Sequence, residues 1–384
     1  MQLDGVRVLD LTRLLPGPYA TQLLADAGAD VVKVEDTGAG DYARAMPPLT
    51  DEGYGIVFDA VNRHKRSVTL DLKSEAGREA FYALVETADA VIESFRPGVV
   101  DRLGVDYETC REHNPGIVYC SLSGFGATGP LAQRPGHDLN YAGVAGMLDM
   151  TRAGEDEVPS APGYPVADMG GGLLAAFSIL GGLLSRELGG EGGEYFDVSL
   201  TDAVVSFGQT VAPMALRDEN PRPGDTQLTG AYPWYGVYEA KEGYVTLAAL
   251  EPQFWEGFCE AVGHEEWISL HTTDDPAERE ALREALEALF ATRTRDEWVD
   301  RLADEDTAVD GVYTPEEALS HPQIQSREYV HGGERPRVGF PLRGSDVSHE
   351  AGDLPAHGEH TETVLREAGL DDDAMARLRA EGAI

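Results

Sequence analysis

Lysine is almost absent from this chain of 384 residues, in which the only lysines are Lys33, Lys65, Lys73 and Lys241. Arginine supplies the other basic side chains, and 30 basic residues stand against 68 acidic ones, a formal net charge of -38. Molar salt shortens the Debye length to about 3 Å and so screens the repulsion between the acidic side chains that carry such a charge. We therefore expect a halophilic protein. Because the same charge repels nucleic acid and anionic membranes, neither is expected as a partner.

Cysteine is also scarce, and Cys110, Cys120 and Cys259 are too few and too scattered for a disulfide framework or a zinc site. We expect free thiols in a reducing cytoplasm, and no metal. The N-terminal residues carry no basic region ahead of an apolar segment, so no signal peptide is expected. The most apolar stretch, residues 170–185, is rich in glycine and shorter than the ~20 residues of a membrane span, and it predicts a buried helix.

Short β-branched runs alternate with segments of helical period over residues 1–125. This alternation predicts an α/β fold with a parallel sheet joined by right-handed crossovers. The segment "LLPGPYA" after the first strand has one glycine where a dinucleotide-binding turn has G-x-G-x-x-G. A pyrophosphate cradle of that kind is therefore excluded, and nicotinamide and flavin are disfavoured as cofactors.

The composition changes at residues 217–230, a polar segment rich in proline, aspartate and glycine that has no periodicity. We interpret it as a linker. Residues 1–216 before it form the predicted large domain. Residues 231–329 beyond it hold two β-rich runs and several helical segments, which predict a smaller α+β domain.

One histidine and one aspartate stand apart in apolar, glycine-rich surroundings. His137 follows Gly136, and Asp168 opens a predicted helix whose next turn contains three glycines, residues 170–172. Each residue has a structural explanation, because a carboxylate can cap a helix and a histidine can satisfy a buried hydrogen bond. A cap does not require three glycines, however, whereas close approach of a ligand to the helix N–H groups would favour them.

Four segments carry a resemblance to a known family: "LDGVRVLDLTRLLPGPYATQLLADAGADVVKVE", "NRHKRSVTLDLKSEAG", "ESFRPGVVDRLGVDYETC" and "YCSLSGFGATGP". They resemble the ordered motifs of the family III CoA-transferase superfamily, which includes α-methylacyl-CoA racemases. The resemblance covers residues 2–260. It implies a Rossmann-like large domain built from both ends of the chain, with residues from about 330 to 384 completing it, a smaller domain inserted late, and an interlocked homodimer.

Two chemistries share that scaffold. In the transferases, the aspartate that matches Asp168 attacks an acyl-CoA, forming an anhydride and then an aspartyl-CoA thioester. In the racemases, the matching aspartate is one of two acid/base groups, and the other is the histidine of a "GHDxNY" motif. This chain contains "GHDLNY" at residues 136–141 and "EPQFW" at residues 251–255. The resemblance thus implies His137 and Asp168 as the catalytic pair, with Glu251 orienting His137.

Proton exchange next to a thioester needs a base on one face of the α-carbon, an acid on the other, and stabilisation of the enolate oxygen. We expect the N–H groups of Met169 and Gly170 to receive that oxygen. The leading hypothesis is a racemase or epimerase of 2-methylacyl-CoA thioesters. The alternatives are a CoA-transferase with Asp168 as nucleophile and a non-catalytic acyl-CoA-binding protein.

The resemblance also implies contacts with coenzyme A, made by Leu14, Leu70, Ser94, Phe95, Arg96 and Arg102. An ordinary surface loop with solvated arginines would have the same residues around position 96. Asp36 stands where some transferases have an arginine, and Arg44 is the expected substitute. The expected partners are an acyl-CoA substrate and a second copy of the chain, with no cofactor beyond the CoA moiety of the substrate.

Overall fold

The structure, a computed structural model, describes residues 2–154, 156–190, 192–328, 330–332, 336–342 and 352–384. The chain forms two compact units. The first comprises Met1–Met147, Pro162–Phe207 and Arg327–Ile384, and the second comprises Leu148–Ala161 and Gly208–Ser326.

A six-stranded sheet forms the centre of the first unit. Its strands are β1 (Arg7–Leu11), β2 (Asp30–Glu35), β3 (Arg66–Thr69), β4 (Ala90–Glu93), β5 (Val118–Ser123) and β6 (Glu194–Ser199). Their order is β3-β2-β1-β4-β5-β6, and every neighbouring pair is parallel. This order is that of a Rossmann-type sheet, so the predicted α/β fold with a parallel sheet is confirmed.

Helices cover both faces of this sheet. They are α1 (Pro16–Asp26), α2 (Ile56–Val61), α3 (Glu75–Val85), α4 (Val99–Leu103), α5 (Tyr107–His113), α6 (Asp138–Val144), α7 (Val166–Glu187) and α8 (Leu200–Phe207). Alternate residues of one strand point to opposite faces, so Val8 packs with α1 and α7, whereas Leu9 packs with α3 and the C-terminal helices. Both faces of the central strands are therefore buried, and charged residues of these strands, such as Asp10 and Lys33, are buried as well.

The glycine triplet at the start of α7 permits close packing of helices. A Cβ atom at Gly172 would lie 2.4 Å from the Pro16 carbonyl oxygen, and one at Gly171 would lie 2.2 Å from a Leu200 methyl group. At Gly170 it would lie 2.6 Å from the Phe207 ring. These contacts correct the sequence-based interpretation, because the glycines let α7 approach α1 and α8 rather than a ligand.

The second unit has its own antiparallel sheet, in which β8 (Tyr244–Ala248) lies between β7 (Tyr235–Glu239) and β9 (Val309–Val312). Its helices are α9 (Ala212–Ala215), α10 (Pro252–Val262), α11 (Pro276–Phe290), α12 (Arg295–Leu302), α13 (Pro315–Ser320) and α14 (Pro322–Ser326). Trp255, Phe290 and Trp298 are fully buried between the sheet and these helices. This unit has the α+β character expected of the smaller domain.

The bounds of the second unit differ from those of the predicted small domain. The unit begins at Gly208 and also contains Leu148–Ala161, a segment that the prediction assigned to the large domain. An ion pair of 2.5 Å between Asp149 and Arg222 ties this segment to the predicted linker, residues 217–230. The predicted end of the small domain, residue 329, lies outside the described residues.

The C-terminal residues return to the first unit. The strands β10 (Val330–His331) and β11 (Arg337–Val338) form an antiparallel pair, and α15 (Thr361–Glu367) and α16 (Asp372–Ala380) pack on the sheet beside α3. Arg66 on β3 pairs with Glu367 on α15 at 2.8 Å. The described parts of residues 330–384 therefore belong to the larger unit, as the resemblance implies.

Helix α7 is buried on one side only. Its other side exposes Leu173, Phe177 and Leu184, with 51, 69 and 59% of their surface accessible. By length and composition alone the helix is apolar enough to cross a membrane, and half of its most apolar window is buried inside the molecule. The predicted buried helix is thus only half covered by its own chain, and the expected homodimer stays a prediction.

Candidate active site

A cavity of about 710 Å³ opens at the carboxyl ends of β1, β4 and β5. The chain runs outward from β1 to β3 and then resumes on the other side at β4, so the sheet order reverses between β1 and β4. Ligands of open α/β sheets bind at such a reversal, outside the carboxyl ends of the strands. Every residue that lines the cavity belongs to the first unit.

The turn after β1 is held by buried charges. Leu14, which lines the cavity, has a φ of 66°, a left-handed conformation that is unfavourable for leucine. Its N–H donates to Asp41 Oδ1 at 3.0 Å, and Asp41 Oδ2 forms a fully buried ion pair of 3.0 Å with Lys33. Lys33 also donates to the Thr12 carbonyl oxygen at 2.8 Å. This network fixes the backbone of the turn and presents Leu14 to the cavity.

The turn after β4 carries Ser94, Phe95 and Arg96, all of which line the cavity. The buried carboxyl of Glu93 anchors it: one oxygen accepts from the Phe95 N–H at 2.7 Å and the other from the Ser121 hydroxyl at 2.5 Å. Burial raises the pKa of Glu93 to about 7, although both hydrogen bonds act to lower it. The sequence reasoning missed Glu93, and the only signal for it was an acidic residue at the end of a buried strand.

Basic side chains dominate the charge of the cavity. Arg13, Arg96 and Arg134 line it, and Asp168 is the only acidic side chain among the described residues that line it. Arg13 pairs with Asp36 at 3.2 Å, whereas Arg96 and Arg134 form no ion pair with any residue that the structure describes. In a chain of net charge -38, this local excess of arginine favours binding of an anionic ligand. Arg13 and Arg134 were not among the predicted residues.

His137 and Asp168 reach the same cavity from different helices. His137 stands immediately before α6, where its backbone N–H donates to Asn140 Oδ1 at 3.0 Å. Asp168 lies in the first turn of α7, and its carboxyl group makes no hydrogen bond to any described residue. Asp168 therefore does not cap its own helix, which removes the structural explanation considered for it from sequence.

Burial raises the pKa of Asp168 from its ordinary value of 3.8 to about 7, and the neighbouring negative charge of Asp138 acts in the same direction. A group whose pKa lies near neutrality exchanges protons readily in both directions. The carboxyl of Asp168 is therefore suited to act as an acid and as a base close to pH 7.

This raised pKa predicts an effect on stability. The folded protein keeps the Asp168 proton up to about pH 7, whereas the unfolded chain releases it near pH 4, so the folded state loses stability as the pH rises between these values. We expect Asp168→Asn to raise the free energy of unfolding by a few kcal/mol above pH 7, and the gain to disappear near pH 4. Urea titrations in molar KCl will measure it. Asp202→Asn, at an exposed site on α8, is the control, and an equal gain at both pH values would contradict the prediction.

Several predicted residues lie elsewhere. Leu70 is 1% exposed and packs in the core, so its predicted contact with coenzyme A is corrected to a core role. Arg102 is exposed on α4 and does not line the cavity. Arg44 is buried against Glu35, at 2.6 Å, and cannot serve as the substitute phosphate ligand. Glu251 is an exposed residue of the second unit, immediately before α10, and its support of His137 stays a prediction.

The predicted oxyanion groups are already engaged. The Met169 N–H donates to the Pro165 carbonyl oxygen at 3.0 Å, and Gly170 lies inside the hydrogen-bond ladder of α7. Neither N–H is free to receive an enolate oxygen, so this expectation is corrected. The Asp138 N–H, which follows His137 directly, has no acceptor among the described residues. The described residues also contain no group of three or more His, Cys, Asp or Glu side chains suited to a metal ion.

Residues 3–361 match the sequence profile of CoA-transferase family III. The chain belongs to this family. It is therefore an enzyme of the class that includes family III CoA-transferases and racemases. Among its relatives, a succinyl-CoA:mesaconate CoA-transferase of Haloarcula marismortui is 37% identical over 96% of this chain and 97% of its own length.

The chain is also similar to a relative named for a different activity and to a solved structure with a similar fold. An α-methylacyl-CoA racemase of Mus musculus is 33% identical over 99% of this chain and 97% of its own length. The crystal structure of a CAIB/BAIF family protein from Brucella suis has a TM-score of 0.81 and 33% identity, covering 95% of this chain and 99% of that one. The family and the fold are thus shown, and the identities of 37 and 33% do not separate transfer from racemisation.

Proposed function

We propose that this family III enzyme is a racemase or epimerase of 2-methylacyl-CoA thioesters. The observation that supports the proposal is that His137 and Asp168 line one cavity while the pKa of Asp168 is raised to about 7. A nucleophilic carboxylate has to be ionised, whereas a proton carrier has to hold and release a proton at the working pH. The raised pKa therefore favours proton transfer at Asp168.

In the proposed reaction, one of the two side chains removes the α-proton, and the electron pair of the broken C–H bond moves into the thioester to form an enolate. The other side chain returns a proton to the opposite face of the same carbon. In the reverse direction His137 and Asp168 exchange roles. We assign the enolate oxygen to the Asp138 N–H, because it is unpaired among the described residues and adjoins His137.

The CoA moiety supplies the negative charges that the cavity favours. Arg96 and Arg134 have no acidic partner among the described residues, so the phosphates of CoA would find guanidinium groups that are not already paired. Leu14 and Phe95 offer apolar surface beside these arginines. We propose no cofactor beyond this CoA moiety.

CoA transfer is the second candidate. It is favoured by the name of the Haloarcula marismortui relative, which is 37% identical over nearly its whole length. In this reaction the ionised Asp168 carboxylate attacks the thioester carbonyl, and CoA leaves as its thiolate. The thiolate then attacks the Asp168 carbonyl of the resulting anhydride, which releases the donor acid and forms an aspartyl-CoA thioester. A second carboxylate displaces the thiolate from this thioester, and the thiolate attacks the carbonyl of the second acid, which forms the new CoA ester and regenerates Asp168. The reaction assigns no role to His137.

Deuterium exchange tests the proposal. The purified full-length protein is incubated in D2O and molar KCl with one enantiomer of a 2-methylacyl-CoA, with and without an added carboxylate such as succinate or mesaconate. We expect deuterium at C2 and appearance of the other enantiomer, with no need for the added carboxylate. NMR detects the deuterium, and chromatography detects new CoA esters.

Two results would overturn the racemase proposal. Movement of CoA to the added carboxylate without deuterium at C2 would assign the protein to the transferases. Binding of the acyl-CoA by calorimetry, without exchange or transfer for any acyl-CoA tested, would leave only a binding function.

A further inference from the structure

The carboxylate of Asp138 joins the two segments that carry the candidate catalytic side chains. Asp138 is the first residue of α6 and follows His137 directly. Its Oδ1 atom accepts hydrogen bonds from the backbone N–H groups of Ala167, at 2.7 Å, and of Asp168, at 3.0 Å. One side chain thus connects the residue after His137 to the peptide group of Asp168 itself.

Helix α7 needs this acceptor from outside. The first N–H groups of a helix have no carbonyl partner within it, and a side chain just before the helix usually accepts from them. Here Pro165 precedes α7 and has no capping side chain, so the helix lacks a cap from its own sequence. Asp138 supplies the cap from about thirty residues upstream, and the Asp168 carboxyl is left without a hydrogen bond among the described residues.

We propose that Asp138 is a positioning residue of the active site, which fixes Asp168 relative to His137 and places a negative charge beside the Asp168 carboxyl group. The proposal concerns the same site as the proposed function and rests on it for the choice of assay. The side chain of Asp138, as distinct from its backbone N–H, acts on the reaction through Asp168 and makes no contact with the substrate.

Other titratable and charged side chains lie near Asp138 and Asp168. Elements packed against the start of α7 carry the titratable side chains of Asp138 and Tyr141 on α6, Tyr19 on α1 and Asp202 on α8, while His137, Arg13, Arg96 and Arg134 line the cavity. On α7 itself the next charged residue after Asp168 is Arg186. A like charge nearby favours the protonated carboxyl, so Asp138 supports the effect of burial on the pKa of Asp168.

Two substitutions separate the hydrogen bonds from the charge. Asp138→Asn keeps an oxygen acceptor for the two N–H groups and removes the negative charge, whereas Asp138→Ala removes both. Asp371 provides the matched control, because it caps α16 through the Ala374 N–H at 2.9 Å in the same unit but does not line the cavity. All variants are assayed as full-length proteins in molar KCl for kcat, KM, thermal unfolding and the pH dependence of C2 exchange.

We expect Asp138→Asn to shift the limb of the pH profile that reports Asp168 to lower pH, by about one unit, because ionised Asp168 becomes more favourable. Asp138→Ala is expected to lower kcat about a hundredfold with little change in KM, because the two proton carriers lose their relative position. Asp371→Ala is expected to lower the melting temperature by a few degrees, whereas Asp371→Asn keeps an acceptor and should change it little. Both variants are expected to leave the pH profile and kcat unchanged.

An unshifted pH profile in Asp138→Asn would overturn the proposal, and so would an unchanged kcat in Asp138→Ala with a lowered melting temperature, which is the signature of a merely structural cap. Failure of the racemase function gives a different result, since wild-type protein then transfers CoA without exchange. In that case the same variants are compared in the transfer assay, where Asp168 has to be ionised. In Asp138→Asn the transfer activity is then expected to increase with pH from a lower pH than in the wild-type protein. If this increase occurs at the same pH in both proteins, the proposed role of Asp138 is again overturned.

Discussion

His137→Ala is expected to lower the rate of interconversion of the two enantiomers by a hundredfold or more, while Asp168→Ala abolishes it. Loss of one positioned acid/base group costs about 10²–10⁴ in rate. A two-face mechanism loses one partner in either variant, because the remaining side chain reaches only one face of the α-carbon. Exchange rates measured by NMR in D2O, together with separation of the two enantiomers, test both variants.

CoA transfer would respond differently to the same pair of variants. Asp168→Ala removes its nucleophile, whereas His137→Ala leaves that nucleophile intact and is expected to spare transfer. Asp202→Ala, at an exposed position outside the cavity, is the control for general effects of removing an acidic residue. Undiminished interconversion of the enantiomers in His137→Ala would remove that histidine from the mechanism.

Low salt is expected to unfold the protein. The acidic side chains that give the net charge of -38 repel one another. At about 0.1 M salt the Debye length is near 10 Å, which leaves much of this repulsion unscreened. Salt also weakens exposed ion pairs such as Arg66 with Glu367, but each such pair contributes only about 0–1 kcal/mol. Screening of the repulsion between acidic side chains therefore outweighs the weakening of the exposed ion pairs. We expect the melting temperature and the activity to rise steeply with the KCl concentration.

The unfolding of the second unit can be distinguished from the unfolding of the whole protein as the salt concentration is lowered. All four tryptophans, Trp234, Trp255, Trp267 and Trp298, belong to the second unit, so tryptophan fluorescence reports its unfolding, while circular dichroism reports both units. If repulsion between carboxylates is the cause, less salt should be required at mildly acidic pH, where some of them take up protons. A cooperative fold and full activity in dilute buffer at neutral pH would contradict the halophilic interpretation.

The sequence predicts the sheet well because the physical signal there is strong and local. Parallel strands buried on both faces are rich in β-branched and aliphatic residues, so the valines of residues 30–35 and the apolar residues of 118–123 contrast with the amphipathic helices between them. The charged residues Lys33 and Glu35 in the first of these strands are buried too. The resemblance to the family motifs also predicts the Rossmann-like arrangement of the strands. The extent of the second unit is harder to predict, because residues 148–161 join it through an ion pair between Asp149 and Arg222, 73 positions apart.

Individual site residues show where sequence reasoning fails. Leu14 and Leu70 are both leucines after strands, yet a left-handed turn held by Asp41 presents the first to the cavity, and core packing hides the second. Arg96 and Arg102 lie six positions apart, and only the first lines the cavity. Asp138 escaped notice because its cap acts across about thirty residues, whereas capping patterns in sequence are read over three or four.

The close packing at the start of α7 also limits how this enzyme can be engineered. Replacing helical glycine with alanine is a common route to greater thermostability, since it reduces the flexibility of the unfolded chain. At Gly171 and Gly172 the added methyl group would overlap the Leu200 side chain and the Pro16 backbone, and α7 would be pushed away from its neighbours. Asp168 lies one turn earlier on the same helix. A glycine-to-alanine variant would therefore gain helix propensity but displace the reactive carboxyl of Asp168.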